Sequence, residues 1–312
     1  MSARVLDFVK GHMGGNTILF LYGDQVPAGR EVEFADRVRS TCGIASHQVG
    51  ILRPPVNGGD VSVTIVGSLH HTITMCGGLS QVFGKFIVEG RFDDRFNVEI
   101  KEPTTTVVLE TEAGLVPISV SAQGGEVKKV VTGMDCFVRE LYQDGCCPLE
   151  LSGIRAFRIG KALIINADAI KDRYPDANIE ELDESAQCIL IDLQNRFLND
   201  EKIPGRKSND FAVYDLHPVH GGDARVVFPH NLRTMHIEPS CGTISVATAI
   251  AMYESGEVRG ETLQISFECG GAPTLGGPEI TRVYLKAGER HVHSASFSHS
   301  LIEVIAQGKV WT

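Results

Sequence analysis

A chain of 312 residues, 43% of them hydrophobic and 22% charged, has enough apolar material for one large domain or two medium ones. Its net charge of -10, without a basic cluster, argues against a nucleic-acid partner. No stretch approaches the roughly 18 apolar residues of a membrane span, and the apolar run at 17–22 is only strand length, so neither an anchor nor a signal peptide is expected. These features predict a cytoplasmic protein with no membrane partner.

The first half predicts short strands and two helices. The β-type runs are separated by turn-rich stretches such as residues 54–60. They cover residues 5–9, 17–22, 61–66, 106–110 and 116–120. A helix is predicted over 30–41. A second helix is predicted from position 78, because the apolar residues that follow recur at i, i+3, i+4, i+7 and i+8 and line one buried face.

The second half repeats this plan, with helices predicted at 184–199 and 244–254. Its strands are predicted at 162–166, 211–214, 225–228, 263–269, 281–285 and 300–305. The repeat is one of architecture, without shared detailed sequence. The crossover is expected near 124–135. The predicted division is therefore an N-terminal half of 1–125 plus 300–312 and a C-terminal half of 126–299.

Two Cys-Gly turns are the most informative motifs. Each places a cysteine directly before a glycine-containing turn that opens a predicted helix, at 76–78 and 241–243. The first N–H groups of a helix have no intrahelical acceptor, so two such starts can hold a carboxylate. Glycine matters here because the carboxylate must approach the backbone closely.

The paired thiols predict proton transfer at an α-carbon. A thiol has a reference pKa of about 8.5, and a helix N-terminus lowers it by about one unit. Two thiols that share one proton suit a reversible reaction: one thiolate removes the α-proton, and the other thiol delivers a proton to the opposite face. Backbone N–H groups would stabilise the charge that grows on the carboxylate. We therefore predict Cys76 and Cys241 as the acid–base pair of an amino-acid racemase or epimerase.

Two other functions stay open. Free cysteines are often inert core residues, and one Cys-Gly before a helix is weak evidence, so the prediction depends on the pair. The alternative enzyme is a proton-shifting isomerase or dehydratase of an unsaturated or hydroxylated acid. The non-enzyme alternative is a ligand-binding protein on the same fold, which would have no need of both thiols.

No metal and no organic cofactor is predicted. The eight cysteines lack Cys-x-x-Cys spacing, and Cys146–Cys147 are expected in a loop. His70 and His71, as strand neighbours, would point to opposite faces. His291 and His293 share a predicted strand face but lack further ligands at a zinc-like spacing. No glycine motif for a dinucleotide or a phosphate is present.

The chain resembles the diaminopimelate epimerase family over nearly its whole length. The similar segments are Lys-Gly-His-Met-Gly-Gly-Asn at 10–16, Gly-Ile-Ala-Ser-His-Gln at 43–48, the two cysteine turns, Cys-Gly-Gly at 269–271 and the closing strand at 307–310. The resemblance implies an α/β (α+β) fold of two pseudo-symmetric halves. Each half would be a curled, mostly antiparallel sheet around a central helix. It also implies a cofactor-independent isomerase acting on a small-molecule acid, as a homodimer.

The resemblance implies a set of substrate-binding residues at these motifs: Asn16, Gln48, Gly77, Gly78, Arg233, Gly242 and Thr243. Each has a simpler structural reading beside it. Asn16 can cap its Gly-Gly turn, and Arg233 can be a surface residue at a strand edge.

The chain departs from diaminopimelate epimerases where they hold the distal end of their substrate. Leu232-Arg233 replaces an adjacent Glu-Arg pair, Gly-Lys-Ala-Leu at 160–163 replaces Gly-Asn-Pro-His, and an Asn near Gly67 is missing. Residues 5–10 and 47–51 are more similar to staphylopine-pathway histidine racemases, which carry an acidic residue in place of His47. The expected substrate is a polar amino acid smaller than diaminopimelate, with histidine the leading candidate.

Overall fold

The computed structural model of the protein describes residues 4–41, 43–92, 95–200, 210–231, 236–269, 276–288 and 291–311. The chain forms two compact units, Met1–Cys136 with Ser298–Thr312, and Phe137–Phe297. In the described part of the chain, no helix is both long and apolar enough to cross a membrane.

The strands and helices are short and follow one another closely. The strands are β1 Val5–Met13, β2 Asn16–Tyr22, β3 Gln48–Arg53, β4 Val61–Val66, β5 Thr72–Ile73, β6 Thr104–Thr111, β7 Gly114–Gln123, β8 Glu126–Gly133, β9 Cys146–Leu151, β10 Ile154–Ile159, β11 Ala162–Asn166, β12 Phe211–Asp215, β13 Ala224–Asn231, β14 His236–Glu238, β15 Thr262–Cys269, β16 Glu279–Ala287, β17 Val292–His299 and β18 Ile302–Trp311. The helices are α1 Glu31–Ser40, α2 Gly77–Val88, α3 Asp135–Asp144, α4 Ala167–Arg173, α5 Glu184–Asn199 and α6 Gly242–Ser255.

In the first unit the paired strands follow the order β18, β1, β2, β3, β4, β6, β7, β8. Neighbours are antiparallel except in the pairs β2–β3 and β4–β6. Helix α2 contacts strands from both ends of this order, β1 and β18 as well as β7 and β8. The sheet therefore curls around α2, which explains why this helix is buried on nearly every side.

Small and apolar residues on two helices set the packing of this unit. A Cβ on Gly84 of α2 would lie 2.7 Å from Ile118 and 2.9 Å from Val130, so only glycine lets the helix come this close to β7 and β8. Helix α1 covers the outer face of the sheet, where Phe34 and Val38 belong to the same buried cluster as the alternate residues of β2 and β3.

The second unit repeats this plan by itself, in the order β9, β10, β11, β12, β13, β15, β16. Its parallel pairs are β11–β12 and β13–β15, so the succession of strand directions is the same as in the first unit. Helix α6 contacts β10, β11, β12 and β16. Helix α5 lies on the outer face, where Leu190 and Phe197 share a buried cluster with β11. The expected fold, two mostly antiparallel curled sheets around central helices, is confirmed.

All four helices expected from the sequence are present, and α5 has the expected bounds. The sequence patterns missed α3 and α4. Cys146–Cys147 lie in β9, not in a loop, because they pair with Ile159 and Arg158 of β10. His70 and His71 lie in a turn and not on a strand. The strand predicted at 300–305 begins two residues later than expected, because β17 ends at His299 and β18 begins at Ile302.

The first unit extends beyond position 125 because β8 pairs with β7 along its length. The chain leaves this unit after Cys136 and re-enters it at Ser298.

Candidate active site

Cys76 is the N-cap of α2. Its backbone is extended, with φ -141° and ψ 111°, and its side chain accepts the Leu79 N–H at 3.4 Å. The N–H and the hydroxyl of Ser80 both donate to the Cys76 carbonyl, at 3.2 and 3.1 Å. The thiol is therefore held at the helix start, where the N–H groups of Gly77 and Gly78 have no intrahelical acceptor.

Cys241 occupies the equivalent place on α6. Its φ and ψ are -140° and 112°, within one degree of those of Cys76. Ser245 repeats the contacts of the first unit, donating its N–H and hydroxyl to the Cys241 carbonyl at 3.0 and 2.7 Å. Thr243 adds a hydroxyl 3.3 Å from the Cys241 sulfur. Both cysteines thus stand at the start of a helix, as the sequence predicted.

One glycine from the first turn of each helix, Gly242 directly after Cys241 and Gly78 two residues after Cys76, shows how much room each turn leaves. A Cβ on Gly242 would lie 2.3 Å from the ring of Phe297, so the chain requires glycine there. A Cβ on Gly78 would meet nothing closer than 3.6 Å, and its neighbours would be Met13, Asn16 and Ile18. A methyl group at Gly78 would therefore fit in ordinary van der Waals contact with these three side chains.

The expected lowering of the thiol pKa is wrong for Cys241. Burial raises its pKa well above the ordinary value, and the nearby carboxylate of Glu238 raises it further. Hydrogen bonds from the Thr243 hydroxyl and the Ile244 N–H act in the opposite direction but do not compensate. Loss of water around the sulfur outweighs the helix start, so the Cys241 thiol holds its proton in the free protein.

Asn16 and Gln48 lie on the face of the sheet that packs against the start of α2. Asn16 is 1% exposed, and its amide lies 3.7 Å from the Cβ position of Gly78. Gln48 is in register with Ile18, which also touches that position, and neighbours paired in parallel strands face the same side. The Gln48 Oε1 atom is buried without a hydrogen-bond partner. The structure therefore brings both predicted binding residues to the Cys76 helix start, where Gln48 Oε1 is an acceptor without a hydrogen-bond partner.

The remaining predicted binding residues divide into two groups. Gly77, Gly78, Gly242 and Thr243 form the first turns of α2 and α6. Arg233, together with Leu232 and the Gly270–Gly271 turn, lies outside the described residues. Glu238, three residues before Cys241, is 7% exposed and so is buried.

A matched pair of carboxylates escaped the sequence analysis. Glu110 on β6 accepts three backbone N–H groups from the turn before β4, and Glu268 on β15 accepts three from the turn before β13. The donors are Val56, Asn57 and Gly59 for Glu110, and Val219, His220 and Gly222 for Glu268. Both turns read Pro-Val-x-Gly-Gly-Asp, at 55–60 and 218–223. The halves do share detailed sequence here, and a search for this hexapeptide would have found the repeat.

One group of three side chains has the spacing of a metal site among the described residues: Asp168, Asp215 and His217. Asp215 already accepts hydrogen bonds from His217 and Arg225. Burial acts to raise the pKa of Asp215, and these hydrogen bonds lower it below its usual value. Because Arg225 supplies the positive charge at this carboxylate, the group fits an ion-pair network better than a metal.

Two other cysteines show how strongly burial raises the pKa of a thiol, since it is the largest cause for both. Burial raises the pKa of both Cys146 and Cys269 to about 12. Both lie in strands, away from the start of a helix. Cys76 and Cys241 differ from them in facing helix N–H groups, which is the feature that proton transfer needs.

The comparisons with known proteins support the fold. No family model matches the chain, and no curated protein matches its sequence. A hydroxyproline epimerase from Agrobacterium vitis, with bound trans-4-hydroxy-L-proline, has a TM-score of 0.68 at 16% identity, covering 99% of this chain and 91% of that chain. A probable proline racemase from Agrobacterium radiobacter K84, with bound carbonate, has a TM-score of 0.67 at 17% identity, covering 98% and 92%. A methylitaconate delta-isomerase has a TM-score of 0.62 at 15% identity, covering 100% and 96%. At these identities the likeness establishes a shared fold.

Proposed function

We propose that the protein is a cofactor-independent isomerase that inverts the α-carbon of an amino acid with Cys76 and Cys241 as its two acid–base residues. The observation that supports this best is the pair of cysteine N-caps. They share their backbone angles to within one degree and each is braced by a serine four residues later. The full-length likeness to a hydroxyproline epimerase, a probable proline racemase and a methylitaconate isomerase supports the proposal, because proteins of this fold carry out such chemistry.

The raised pKa of Cys241 is the basis for the starting state that we assign, and the two-base scheme then makes Cys76 the base. The pKa of Cys241 is raised, so this thiol begins as the proton donor. Cys76 then removes the α-proton as thiolate, the electron pair of the C–H bond moves toward the carboxylate, and the Cys241 S–H bond breaks as a new C–H bond forms on the opposite face. After one turnover Cys76 carries the proton and Cys241 is the thiolate, which is the starting state for the reverse reaction.

The helix starts supply the electrostatic part of the mechanism. The carbanion resembles an enediolate, so charge grows on the carboxylate during proton removal. N–H groups at Gly77–Gly78 and Gly242–Thr243 would donate to it, and donors fixed in place cost no reorganisation when the charge develops. Asn16 and Gln48, buried beside the Cys76 helix start, would bind the remainder of the substrate.

The substrate class is a polar amino acid, with histidine and 4-hydroxyproline as the first two to test. A proton-shifting isomerase of an unsaturated acid is the second candidate, because the methylitaconate isomerase shares the fold over the whole of this chain.

The test is α-proton exchange in D₂O. The purified protein is incubated separately with histidine, hydroxyproline, proline, diaminopimelate and methylitaconate, and loss of the α-proton is followed by NMR and inversion by chiral chromatography. Exchange with inversion of an amino acid supports the proposal, and exchange of methylitaconate alone supports the second candidate. Binding without exchange of any compound would leave a ligand-binding protein. The Cys188→Ala variant is the control, because Cys188 is an exposed thiol on α5.

A further inference from the structure

Each cysteine at a helix start has its carbonyl held twice by one serine, a contact that we call the serine clamp. In α2 the N–H of Ser80 donates to the Cys76 carbonyl at 3.2 Å, and the Ser80 hydroxyl donates to the same oxygen at 3.1 Å. In α6 the N–H and the hydroxyl of Ser245 donate to the Cys241 carbonyl at 3.0 and 2.7 Å. A carbonyl oxygen has two lone pairs and can accept both bonds. The N–H bond belongs to any helix, whereas the hydroxyl bond is added by the side chain.

The hydroxyl bond is not needed to form either helix. Alanine is the best helix former, and a serine that bonds back to the carbonyl four residues earlier slightly destabilises a helix. Both serines are nonetheless fully buried, at 0% exposure. A buried hydroxyl also needs an acceptor, and Thr248 of α6 makes the same kind of bond one turn further on, to the Ile244 carbonyl at 2.8 Å. Thr248 is therefore a control for a buried hydroxyl that is not bonded to a cysteine.

The serine clamp fixes the direction of the next N–H group. The peptide bond is planar and trans, so the C=O of Cys76 and the N–H of Gly77 lie in one plane and point in opposite directions. Because Ser80 holds the C=O toward the body of α2, the Gly77 N–H points out of the helix start. The same geometry applies to Gly242 in α6. Since glycine permits a wide range of backbone angles, the clamp supplies a restraint that the glycine itself does not.

The two bonds of the clamp also strengthen that N–H group as a donor. Hydrogen bonds in a chain polarise one another, so a carbonyl that accepts two bonds makes the N–H of its own peptide more positive. Such an N–H stabilises negative charge that develops on a carboxylate. At α2 a second feature beside the helix start points to a ligand, because Gln48 is 8% exposed and its Oε1 atom is buried without a hydrogen-bond partner.

We propose that Ser80 and Ser245 are positioning residues, which act through the Cys–Gly peptides to aim the N–H groups of Gly77 and Gly242 at the carboxylate of the substrate. The inference rests on the proposed function for the identity of its ligand. The serine clamp can be tested with a small carboxylate that reacts at the cysteines, without turnover of any amino acid.

Iodoacetate and iodoacetamide provide this test. A thiolate attacks the CH₂ group of either reagent, the S–C bond forms and iodide leaves. Only iodoacetate carries a carboxylate on that carbon, as an amino acid does on its α-carbon. The ratio of the two alkylation rates at one cysteine and one pH cancels the fraction of thiolate, because both reagents need the thiolate.

Mass spectrometry of the alkylated peptides measures this iodoacetate-to-iodoacetamide ratio separately for each cysteine. Cys188, exposed on α5, gives the ratio of a thiol that does not stand at a helix start. In the wild-type protein the ratio at Cys76 and at Cys241 is expected to exceed the ratio at Cys188 about 10-fold or more, as hydrogen bonds to a charged group do.

Removing one hydroxyl should lower the ratio at its own cysteine alone. Ser80→Ala is expected to lower the ratio at Cys76 about 3- to 10-fold and to leave the ratio at Cys241 unchanged, and Ser245→Ala should do the reverse. Ser80→Thr and Ser245→Thr keep a hydroxyl that bonds back in the same way, and should stay within about twofold of wild type. Thr248→Ala should leave both ratios unchanged.

Wild-type ratios in both alanine variants would overturn the inference. An equal fall at both cysteines in a single variant would also overturn it, because it would show a role in folding alone. If an alanine variant does not unfold cooperatively, Ser80→Thr against Ser80→Val decides, since threonine and valine have the same shape and only threonine keeps the hydroxyl. Equal ratios in that pair would contradict the clamp.

The proposed function and the inference fail in different ways. If the wild-type ratios at Cys76 and Cys241 do not exceed the ratio at Cys188, the helix starts recognise no carboxylate and the inference is wrong. If no amino acid exchanges its α-proton while the ratios depend on the serines, the proposed function fails and the inference holds for a small carboxylate.

Discussion

The two helix starts have the same backbone and different chemistry around it. Cys76 and Cys241 share φ and ψ, and a serine braces each carbonyl in the same way. Around Cys76 a methyl group would fit at Gly78 without a clash, with Asn16 and Gln48 beside it. Around Cys241 the Phe297 ring closes against Gly242, and Glu238 adds a negative charge.

This difference shows that the position of each cysteine and the pKa of its thiol have separate causes. The N-cap position follows from local backbone preference and from the glycines that follow each cysteine. The proton affinity follows from burial and from nearby charges, which come from distant parts of the chain. A two-base enzyme needs a thiol at each helix start and one proton shared between the two thiols, so that one is protonated when the other is not.

The largest effect is expected from replacing the two thiols. Replacing Cys76 or Cys241 by alanine is expected to lower inversion in both directions by about 10²- to 10⁴-fold each, the usual contribution of one acid–base group. Exchange of the α-proton from one enantiomer should survive better in one variant than in the other, because each thiol serves one face. Chiral chromatography and NMR in D₂O measure the two quantities. The exposed Cys188→Ala should behave as wild type, and near-normal inversion in either cysteine variant would sink the two-base mechanism.

The packing difference predicts unequal effects of the same substitution. Gly242→Ala places a methyl group 2.3 Å from the Phe297 ring and is expected to lower the free energy of unfolding by about 1–3 kcal/mol, as overpacking does. Gly78→Ala has room and should stay within about 0.5 kcal/mol of wild type in stability. Urea denaturation monitored by circular dichroism compares them. Equal losses of unfolding free energy in the two variants would contradict the packing argument. Weaker ligand binding in Gly78→Ala alone would support a role of the Gly78 position in binding.

The Thr243 hydroxyl predicts a smaller effect on proton affinity. It lies 3.3 Å from the Cys241 sulfur and lowers the thiol pKa by stabilising the thiolate. Thr243→Val removes that donor, so the pKa of Cys241 should rise by about one unit or less, the effect of a single hydrogen bond. The pH dependence of Cys241 alkylation by iodoacetamide, read by mass spectrometry, measures the change. Thr243→Ser keeps the hydroxyl and is the matched control; a shift equal to that of Thr243→Val would refute the role of the hydroxyl.

The smallest effect is expected at the matched carboxylates. Burial acts to raise the pKa of Glu110, but the N–H groups of Val56, Gly59 and Asn57 outweigh it and hold the pKa below its usual value. The ionised form therefore stabilises the fold above the ordinary glutamate pKa of about 4.3, and this contribution is lost as pH falls through the lowered value. Glu110→Gln should lower Tm at pH 7, with the difference from wild type shrinking in acid. Glu268→Gln, which removes a carboxylate held by three N–H groups of the equivalent turn, is the matched comparison for Tm at pH 7. A Tm difference for Glu110→Gln that does not change with pH would be evidence against this account.

The sequence by itself determined the repeated elements and the two cysteine helix starts. The apolar patterns of the sequence predict α2, α5 and α6, since each of these helices must bury its apolar side chains. A cysteine followed by glycine at the start of such a pattern predicts an N-cap. These are local properties, because neighbouring residues in the chain decide them. The repeated Pro-Val-x-Gly-Gly-Asp turns were also legible in the sequence and were missed.

The tertiary structure alone decided the surroundings of those elements. Burial and Glu238 raise the pKa of Cys241 against the local effect of the helix start. Cys146 lies in a strand because β10 pairs with it. The placing of Asn16 and Gln48 beside Gly78 depends on the register of β2 against β3. Each outcome depends on residues far apart in sequence. Local patterns located the two cysteine helix starts, but desolvation, strand register and packing set their chemistry, and no local pattern encodes these three effects.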